Sequence, residues 1–224
     1  VLMVVRHAKA HFASALVFPG GLVDPEDHDP VWDGLSVADP GLTRKERAIR
    51  LAGFRELYEE TGILLVDRPE DGAPPPIAAA ATPFMELVSH KGSRLDLDAM
   101  HPFAHWVTPD FAPKRFDTHF RICGLETEVA AVSDGFETVS VEWLRPQDAI
   151  DLGASGQRNV LFPTRMNLQM LAQAGSVEEA IAQARGRTIV TVTPRMEQRE
   201  TGRVLTIPLE AGYGLQEEPV GGLP

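Results

Sequence analysis

The chain has a single cysteine, Cys123, among 224 residues. An internal disulfide is therefore impossible, and the composition suits a reducing compartment, which sets the expectation of a cytoplasmic protein. It has no apolar run approaching the eighteen or so residues that a spanning helix needs. It is also short of positive charge: 21 Lys and Arg stand against 32 Asp and Glu, a formal net charge of −11. That balance excludes the basic footprint of a duplex nucleic-acid binder and disfavours an anionic membrane surface as partner. It does not exclude an anionic small molecule, because a bound metal and a few local cations can invert the field inside a cleft. No signal-peptide pattern and no initiator Met open the chain, which starts directly in the apolar run Val1–Val5. The expectation from that start is a natural N-terminus lying further upstream. What the chain does have is 43% hydrophobic residues, enough for a packed core in one domain.

The densest chemical signal is Arg55-Glu56-Leu57-Tyr58-Glu59-Glu60-Thr61-Gly62-Ile63. On a helix, Glu56, Glu59 and Glu60 share one face at i, i+3 and i+4, where like charges repel by a few tenths of a kcal/mol per pair. A solvated acidic face is the ordinary reading of such a triplet. The alternative is that a cation neutralises it, and oxygen-only ligation points to a hard divalent ion, Mg²⁺ or Mn²⁺. Upstream lies Phe18-Pro19-Gly20-Gly21, where two residues without a Cβ permit close backbone approach to a ligand.

Together these stretches resemble the signature of the Nudix hydrolases, which runs Gly, five residues, Glu, seven residues, Arg-Glu, an aliphatic, any residue, Glu-Glu, any residue, Gly, an aliphatic. The second half matches at every specified position. The first half is displaced: position 47, where the isolated Glu belongs, is Arg47, and the nearest carboxylate is Glu46. Gly41 is in place, but Phe18-Pro19-Gly20-Gly21 lies roughly twenty residues too early. An insertion covering 24–42 within the motif accounts for both. The branch with such an insertion includes the peroxisomal coenzyme A diphosphatase-like proteins of animals and bacterial relatives. Residues 17–27, 105–109 and 114–120 resemble that branch, with weaker support from 142–146 and 162–164.

The resemblance implies an α/β (α+β) fold, an α/β/α sandwich around a central mixed sheet. The expected organisation is a hydrolase domain over 1–175 and a helix-and-strand extension over 176–224 packed on the same domain. The residue pattern predicts strands at Val1–Val5, Ala15–Phe18, Ile63–Val66, Phe103–Thr108, Phe116–Leu125, Glu128–Val132 and Thr138–Leu144. The insertion reads as a loop with one turn near Val31–Leu35, and 68–76 as a Pro-rich loop. Thr43 and Glu46 form a capping-box pattern opening a helix that Gly62 stops. Gly53, costly inside a helix, suggests close packing against a strand. Further helices are expected at Pro83–His90, Pro146–Ile150, Pro163–Gln173 and Val177–Ala184. Arg187–Thr193 and Arg203–Pro208 could pair as a terminal hairpin, and their lack of an evident partner raises a possible homodimer.

By resemblance, Glu59 and Glu60 are the principal metal ligands, Glu56 binds metal or orients water, and the Gly20 carbonyl is a further ligand. Arg55 is an organiser normally paired with the first Glu of the motif; here Glu46, an insertion carboxylate such as Asp24, or Glu59 could replace it. A further carboxylate is expected from Asp117, Glu126, Glu128 or Glu137. Arg6, Lys114 and Arg115 are candidates for substrate phosphates, since guanidinium matches phosphate geometry with paired donors; each is equally an ordinary surface cation. Gly21 and Phe18 line the expected substrate site, and Phe18 and Trp106 could stack on a base or simply pack in the core. His105 and His119 read as packing or strand-face residues, His119 standing where the branch often carries a basic residue.

The resemblance implies hydrolysis of a pyrophosphate bond in a small nucleoside diphosphate derivative. Coenzyme A or acyl-CoA leads, giving 3′,5′-ADP and 4′-phosphopantetheine. ADP-ribose or NADH is the enzymatic alternative, and a catalytically weak nucleotide-binding regulatory module is the other. The coenzyme A signature of other Nudix branches is matched poorly by Val4-Val5-Arg6-His7-Ala8, which lacks its Thr.

Overall fold

The computed structural model describes residues 1–7, 14–66, 83–90, 93–125, 129–214 and 217–220. The Pro-rich loop at 68–76, Glu126 and Glu128 lie outside these residues. The apolar opening run forms β1 (Leu2–Arg6), paired antiparallel with β2 (Leu16–Val17) on one side. On its other side runs β7 (Thr138–Trp143), also antiparallel. A second sheet is centred on β5 (His101–Val107), flanked by antiparallel β6 (Asp117–Ile122) and parallel β8 (Thr191–Val192). The short parallel pair makes this sheet mixed.

Helices cover the sheets because each buries one apolar stripe. Met3 of β1 and Leu16 of β2 pack on Ala149 of α4 (Pro146–Ala154) and Leu168 of α5 (Phe162–Leu171). Phe103 and Trp106 of β5 pack on Met166 and Met170 of α5, and on Ala184 of α6 (Val177–Gly186). A third cluster joins Leu51, Phe54 and Tyr58 of the long helix α2 (Arg44–Thr61) to Phe84, Leu87 and Val88 of α3 (Phe84–His90). No described helix is long and apolar enough to cross a membrane.

The insertion is more than a loop. A 3-10 turn at Pro25–His28 leads into the four-residue helix α1 (Trp32–Leu35) and then β3 (Ser36–Val37), which pairs in parallel with β4 (Leu95–Asp96). The anchor is Trp32, buried against Phe84 with ring centroids 5.8 Å apart. A large apolar side chain inside an otherwise polar Asp/Pro/Gly stretch docks it on the core.

Several sequence expectations are corrected. Residues 63–66 are not a strand; Ile63 is buried after the left-handed Gly62 (φ 70°) has ended α2. The described residues 129–132 carry no strand either. The terminal hairpin pairs β9 (Arg195–Arg199) with β10 (Gly202–Thr206), while 191–192 enters the central mixed sheet; β11 (Glu217–Pro219) completes the hairpin. The strands whose missing partner suggested a homodimer thus find partners within the chain. A Cβ on Gly53 would make only ordinary contact with Met100, at 3.6 Å, and meets no strand. Thr43 does cap α2, accepting from the Glu46 N–H at 3.2 Å. The Glu46 side chain, however, receives Arg50 and Arg121, at 3.2 and 2.7 Å. Burial pushes Glu46 up, but Arg121 and Arg50 outweigh it and hold its carboxyl below the usual range.

Residues 176–213 contribute to the same core. Trp106 Nε1 donates to the Tyr213 hydroxyl at 2.9 Å, which donates to Asn167 Oδ1 at 2.7 Å. Trp106 is therefore a buried packing residue, with its one polar atom satisfied from the C-terminal segment.

Candidate active site

The last two turns of α2 carry Glu56, Glu59 and Glu60, and its last turn holds no basic residue. Carboxylates there meet the negative end of the helix dipole, the unfavourable end for them. Burial worsens the conflict: Glu60 is 2% exposed. One of its oxygens, Oε2, accepts the Gly20 N–H at 2.8 Å. The other, Oε1, is buried without a hydrogen-bond partner. Burial drives Glu60 up to about 7, with the Gly20 N–H opposing and Glu56 adding to the rise. Glu56 is also pushed up to about 7 by burial, against the pull of Arg55. Glu59 is more open and is raised in the same direction, burial again leading. A group of carboxylates this reluctant to ionise suits a cation, which would reverse the shift.

The two glycines serve different ends. Gly20 has φ +153°, a conformation that side-chain-bearing residues rarely adopt, and this turns its N–H onto Glu60. Gly21 is required by contact: a Cβ there would fall on the Glu56 carboxylate. The Phe-Pro-Gly-Gly segment is thus fitted to α2 by one hydrogen bond and one close approach.

Arg55 organises the other side. Its Nε and Nη2 donate to the two oxygens of Asp27 at 3.1 and 3.0 Å, and Nη2 also reaches the Leu22 carbonyl at 2.8 Å. Its Nη1 donates to Glu56 Oε1 at 2.8 Å and Glu59 Oε2 at 2.9 Å. Asp24 lies further off, at 3.6 Å. Burial alone would lower Arg55, but Asp27, Glu56 and Glu59 outweigh it and hold the guanidinium above its usual range. Of the partners considered from sequence, Glu59 and Asp24 are near, Glu46 is committed elsewhere, and the main one, Asp27, was not singled out. A signal was available: Asp27 lies three residues after Asp24 and closes a capping box on the 3-10 turn, its Oδ2 accepting the Asp24 N–H at 2.8 Å.

Arg6 and Glu137 reach the same region from β1 and from the turn just before β7. Arg6 lowers, and Glu137 raises, the proton affinity of Glu60; Glu137 also raises that of Glu56. Arg6 Nε is buried without a hydrogen bond. Glu137 is placed by Asp134, whose carboxylate accepts the N–H groups of Phe136, Glu137 and Thr138 at 3.2, 3.0 and 2.9 Å. Gly135, at φ 74°, makes that turn possible.

Other candidates have contacts of their own outside the glutamate group. Phe18 packs edge-on to Phe120, centroids 6.1 Å apart. Arg115 is exposed and paired with Asp110 at 2.9 Å, and Lys114 sits 5.0 Å over the Phe116 ring. Asp117 meets His105 Nε2 at 2.5 Å, His119 Nε2 at 3.3 Å and Lys45 at 3.9 Å. Lys45 belongs to the first turn of α2, its backbone about 20 Å along the helix from that of Glu60. The hydrogen bond from His105 chiefly holds Asp117 below the usual carboxylate range. Burial, then the charge of His105, lowers His119.

The paired sheets with flanking helices, and a Glu-rich helix end tied to a Gly-Gly turn, define a Nudix-type domain. The crystal structure of a NUDIX hydrolase from Alicyclobacillus acidocaldarius superposes with a TM-score of 0.67 at 26% identity, covering 81% of this chain and 87% of that one. The sequence pattern of the NUDT19 Nudix domain matches residues 41–163, more than half the chain, and the chain belongs to that family. It is 28% identical over 208 residues to the acyl-coenzyme A diphosphatase NUDT19 of Gallus gallus, covering 67% of this chain and 55% of that protein. With the Homo sapiens protein of the same name it shares 26% identity over 197 residues, covering 79% and 50%. A putative nudix hydrolase 7 of Caenorhabditis elegans is 26% identical over 179 residues, covering 77% and 56%. The chain spans about half the length of these curated relatives.

Proposed function

We propose that this chain is a Mg²⁺-dependent hydrolase of the pyrophosphate bond in a nucleoside diphosphate derivative, with coenzyme A or acyl-CoA as substrate. The observation that carries this reading is Glu60: a buried carboxylate at the negative end of a helix, one oxygen fixed by Gly20 and the other unpartnered. Together with Glu56 it offers an all-oxygen donor set suited to a hard divalent ion. Glu56, Glu59, Glu60 and the Gly20 carbonyl would hold Mg²⁺, or Mn²⁺ in its place. The bound ion supplies neutralisation of phosphoryl charge and activation of water.

The chain's own residues do the rest. Arg55 fixes the rotamers of Glu56 and Glu59 through one nitrogen and is itself locked by Asp27. Gly21 leaves room for the Glu56 carboxylate, which orients the attacking water. Arg6 offers a cation to the diphosphate, and Glu137 adds a carboxylate at the rim. Water adds to phosphorus, the bridging P–O bond breaks, and coenzyme A yields 3′,5′-ADP and 4′-phosphopantetheine. Two observations support this substrate class. The relatives named acyl-coenzyme A diphosphatase are one. Exposed apolar side chains beside the site, Leu22 and Val23 after Gly21 and Phe136 before Glu137, are the other; they suit the uncharged arm of coenzyme A.

Incubation with coenzyme A, ADP-ribose and NADH, with and without Mg²⁺, followed by chromatography of the products, tests this. Mg²⁺-dependent appearance of 3′,5′-ADP from coenzyme A is the expected result. Turnover of only the other two would reassign the substrate. Binding without turnover would make the chain a regulatory module.

A further inference from the structure

We infer that His105, Asp117 and His119 form a second metal site, for a late first-row divalent ion such as Zn²⁺, separate from the glutamates. Strand register brings the three together. His105 of β5 stands opposite His119 of β6 and beside Thr191 of β8. Asp117 and His119 are two apart in β6 and so project from the same face. The imidazole rings stack with centroids 4.1 Å apart and planes 8° from parallel, so one ring must turn for both in-plane Nε2 lone pairs to meet a single ion. Both Nε2 atoms address one oxygen, Asp117 Oδ1, at 2.5 and 3.3 Å, and the three donor atoms lie within 4.8 Å of one another. Donors around a tetrahedral zinc ion, with bonds of about 2.0–2.1 Å, stand roughly 3.3 Å apart. The His119–Asp117 spacing already has that value. The His105–Asp117 spacing is shorter, and the half-exposed Asp117 side chain is free to open it.

Hydrogen bonding alone leaves this group unfinished. His119 Nε2 is shielded from water and makes no hydrogen bond. His105 Nδ1 lies 2.7 Å from Thr191 Oγ1. A ligating histidine characteristically passes its second ring N–H to an oxygen, which fixes the tautomer and leaves the other nitrogen's lone pair for metal. In the metal-free protein His105 Nε2–H donates to Asp117 Oδ1 at 2.5 Å, and an ion bound by both atoms takes the place of that proton. Two imidazoles and one carboxylate select zinc-like ions over Mg²⁺ or Ca²⁺. Three protein ligands, of which Asp117 is exposed, leave a fourth position to water from that side. Lys45 approaches the other carboxylate oxygen, Oδ2, at 3.9 Å and leaves Oδ1 available. An ion here would staple the edge strand β6 to β5.

The test is calorimetric titration of the metal-stripped protein with Zn²⁺ alone, with Co²⁺ substitution as an optical readout. Wild type and Glu60→Gln should each retain a site with a dissociation constant on the order of micromolar, and Zn²⁺ should raise Tm in both. His119→Ala and Asp117→Asn should abolish that site. Thr191→Val should weaken it by roughly tenfold, the usual effect of losing an outer hydrogen-bond partner. Co²⁺ should give the intense visible bands of four- or five-coordination rather than a weak octahedral spectrum. Unchanged Zn²⁺ binding in folded His119→Ala would overturn the inference. So would loss of the site in Glu60→Gln, which would place the ion among the glutamates, or an octahedral Co²⁺ spectrum in wild type.

Discussion

Arg55 grips Asp27 with two parallel hydrogen bonds, at 3.1 and 3.0 Å, across 28 residues of chain. This fork-to-fork pair ties the insertion to the helix that carries the glutamates. Both side chains are almost wholly buried, 10% and 1% exposed. The third nitrogen of the same guanidinium holds Glu56 and Glu59, so the insertion positions the site through a single residue.

Removing Arg55 strands the buried Asp27 charge, whereas removing Asp27 leaves Arg55 paired with Glu56 and Glu59. Arg55→Ala should cost about 3–5 kcal/mol in urea unfolding, and Asp27→Ala less. The double substitution should cost clearly less than the sum of the two. Arg55→Lys keeps the charge but cannot hold Asp27 and both glutamates at once, so it should lose more activity than stability. Additive single costs would show that the pair is not coupled.

Gly21→Ala should leave the melting curve close to wild type while lowering kcat, because the new methyl displaces the Glu56 carboxylate. Misplacement on the order of 1 Å can cost roughly a hundredfold. Steady-state kinetics alongside circular dichroism would separate this from unfolding; an unaltered kcat would dissociate Glu56 from catalysis.

Glu60→Gln keeps an oxygen for the Gly20 N–H but discards the charge. Its kcat should fall by more than the roughly 10–100-fold typical of losing an outer partner of a metal site. Normal turnover in this variant would contradict the role given to Glu60.

The raised proton affinities of Glu56 and Glu60 fix the sign of the pH dependence. Both groups sit at about 7 in the folded, metal-free protein, against an ordinary value of 4.5. The folded state therefore holds more protons than the unfolded chain between these limits. Their contribution to metal-free stability is fully present below about pH 4.5 and is lost as pH rises through 7. Mg²⁺ should restore it, with a gain that grows with pH. Thermal melts in chelator and in Mg²⁺ from pH 5 to 8 would check this; a Mg²⁺ effect independent of pH would argue against ion binding at these carboxylates.

Truncation after Gly175 should abolish cooperative folding. It removes Val192, Ile207 and Tyr213 from the cluster around Trp106, together with the Tyr213 hydroxyl that serves the indole. Trp fluorescence would move toward its solvent-exposed emission. A cooperative melt with native emission would instead show that the extension is dispensable.

The parts of the site legible in the sequence were those governed by local rules. Thr43 and Gly62 bound α2 through capping and the left-handed stop. The i, i+3, i+4 spacing aligned the glutamates, and Asp134-Gly135 marked the turn before Glu137. What could not be read depended on distant partners. Ile63–Val66 looked like a strand because apolar β-prone residues also serve as buried irregular chain. Residues 191–192 joined β5 rather than a terminal hairpin because pairing is decided by the sheet already present. Trp32 converted an insertion with loop composition into an anchored segment.

The sequence by itself determined the helix, its acidic face and the kinship with the Nudix hydrolases, because capping, periodicity and spacing operate within a few residues. Only the tertiary structure decided that Asp27 replaces the displaced motif carboxylate as the partner of Arg55, and that Gly21 must be bare to admit Glu56. It alone brought His105, Asp117 and His119 together on one sheet face. Each of these is a contact between segments far apart in the chain, selected by packing and by the need of buried charge for a partner, and neither selection is written in local sequence.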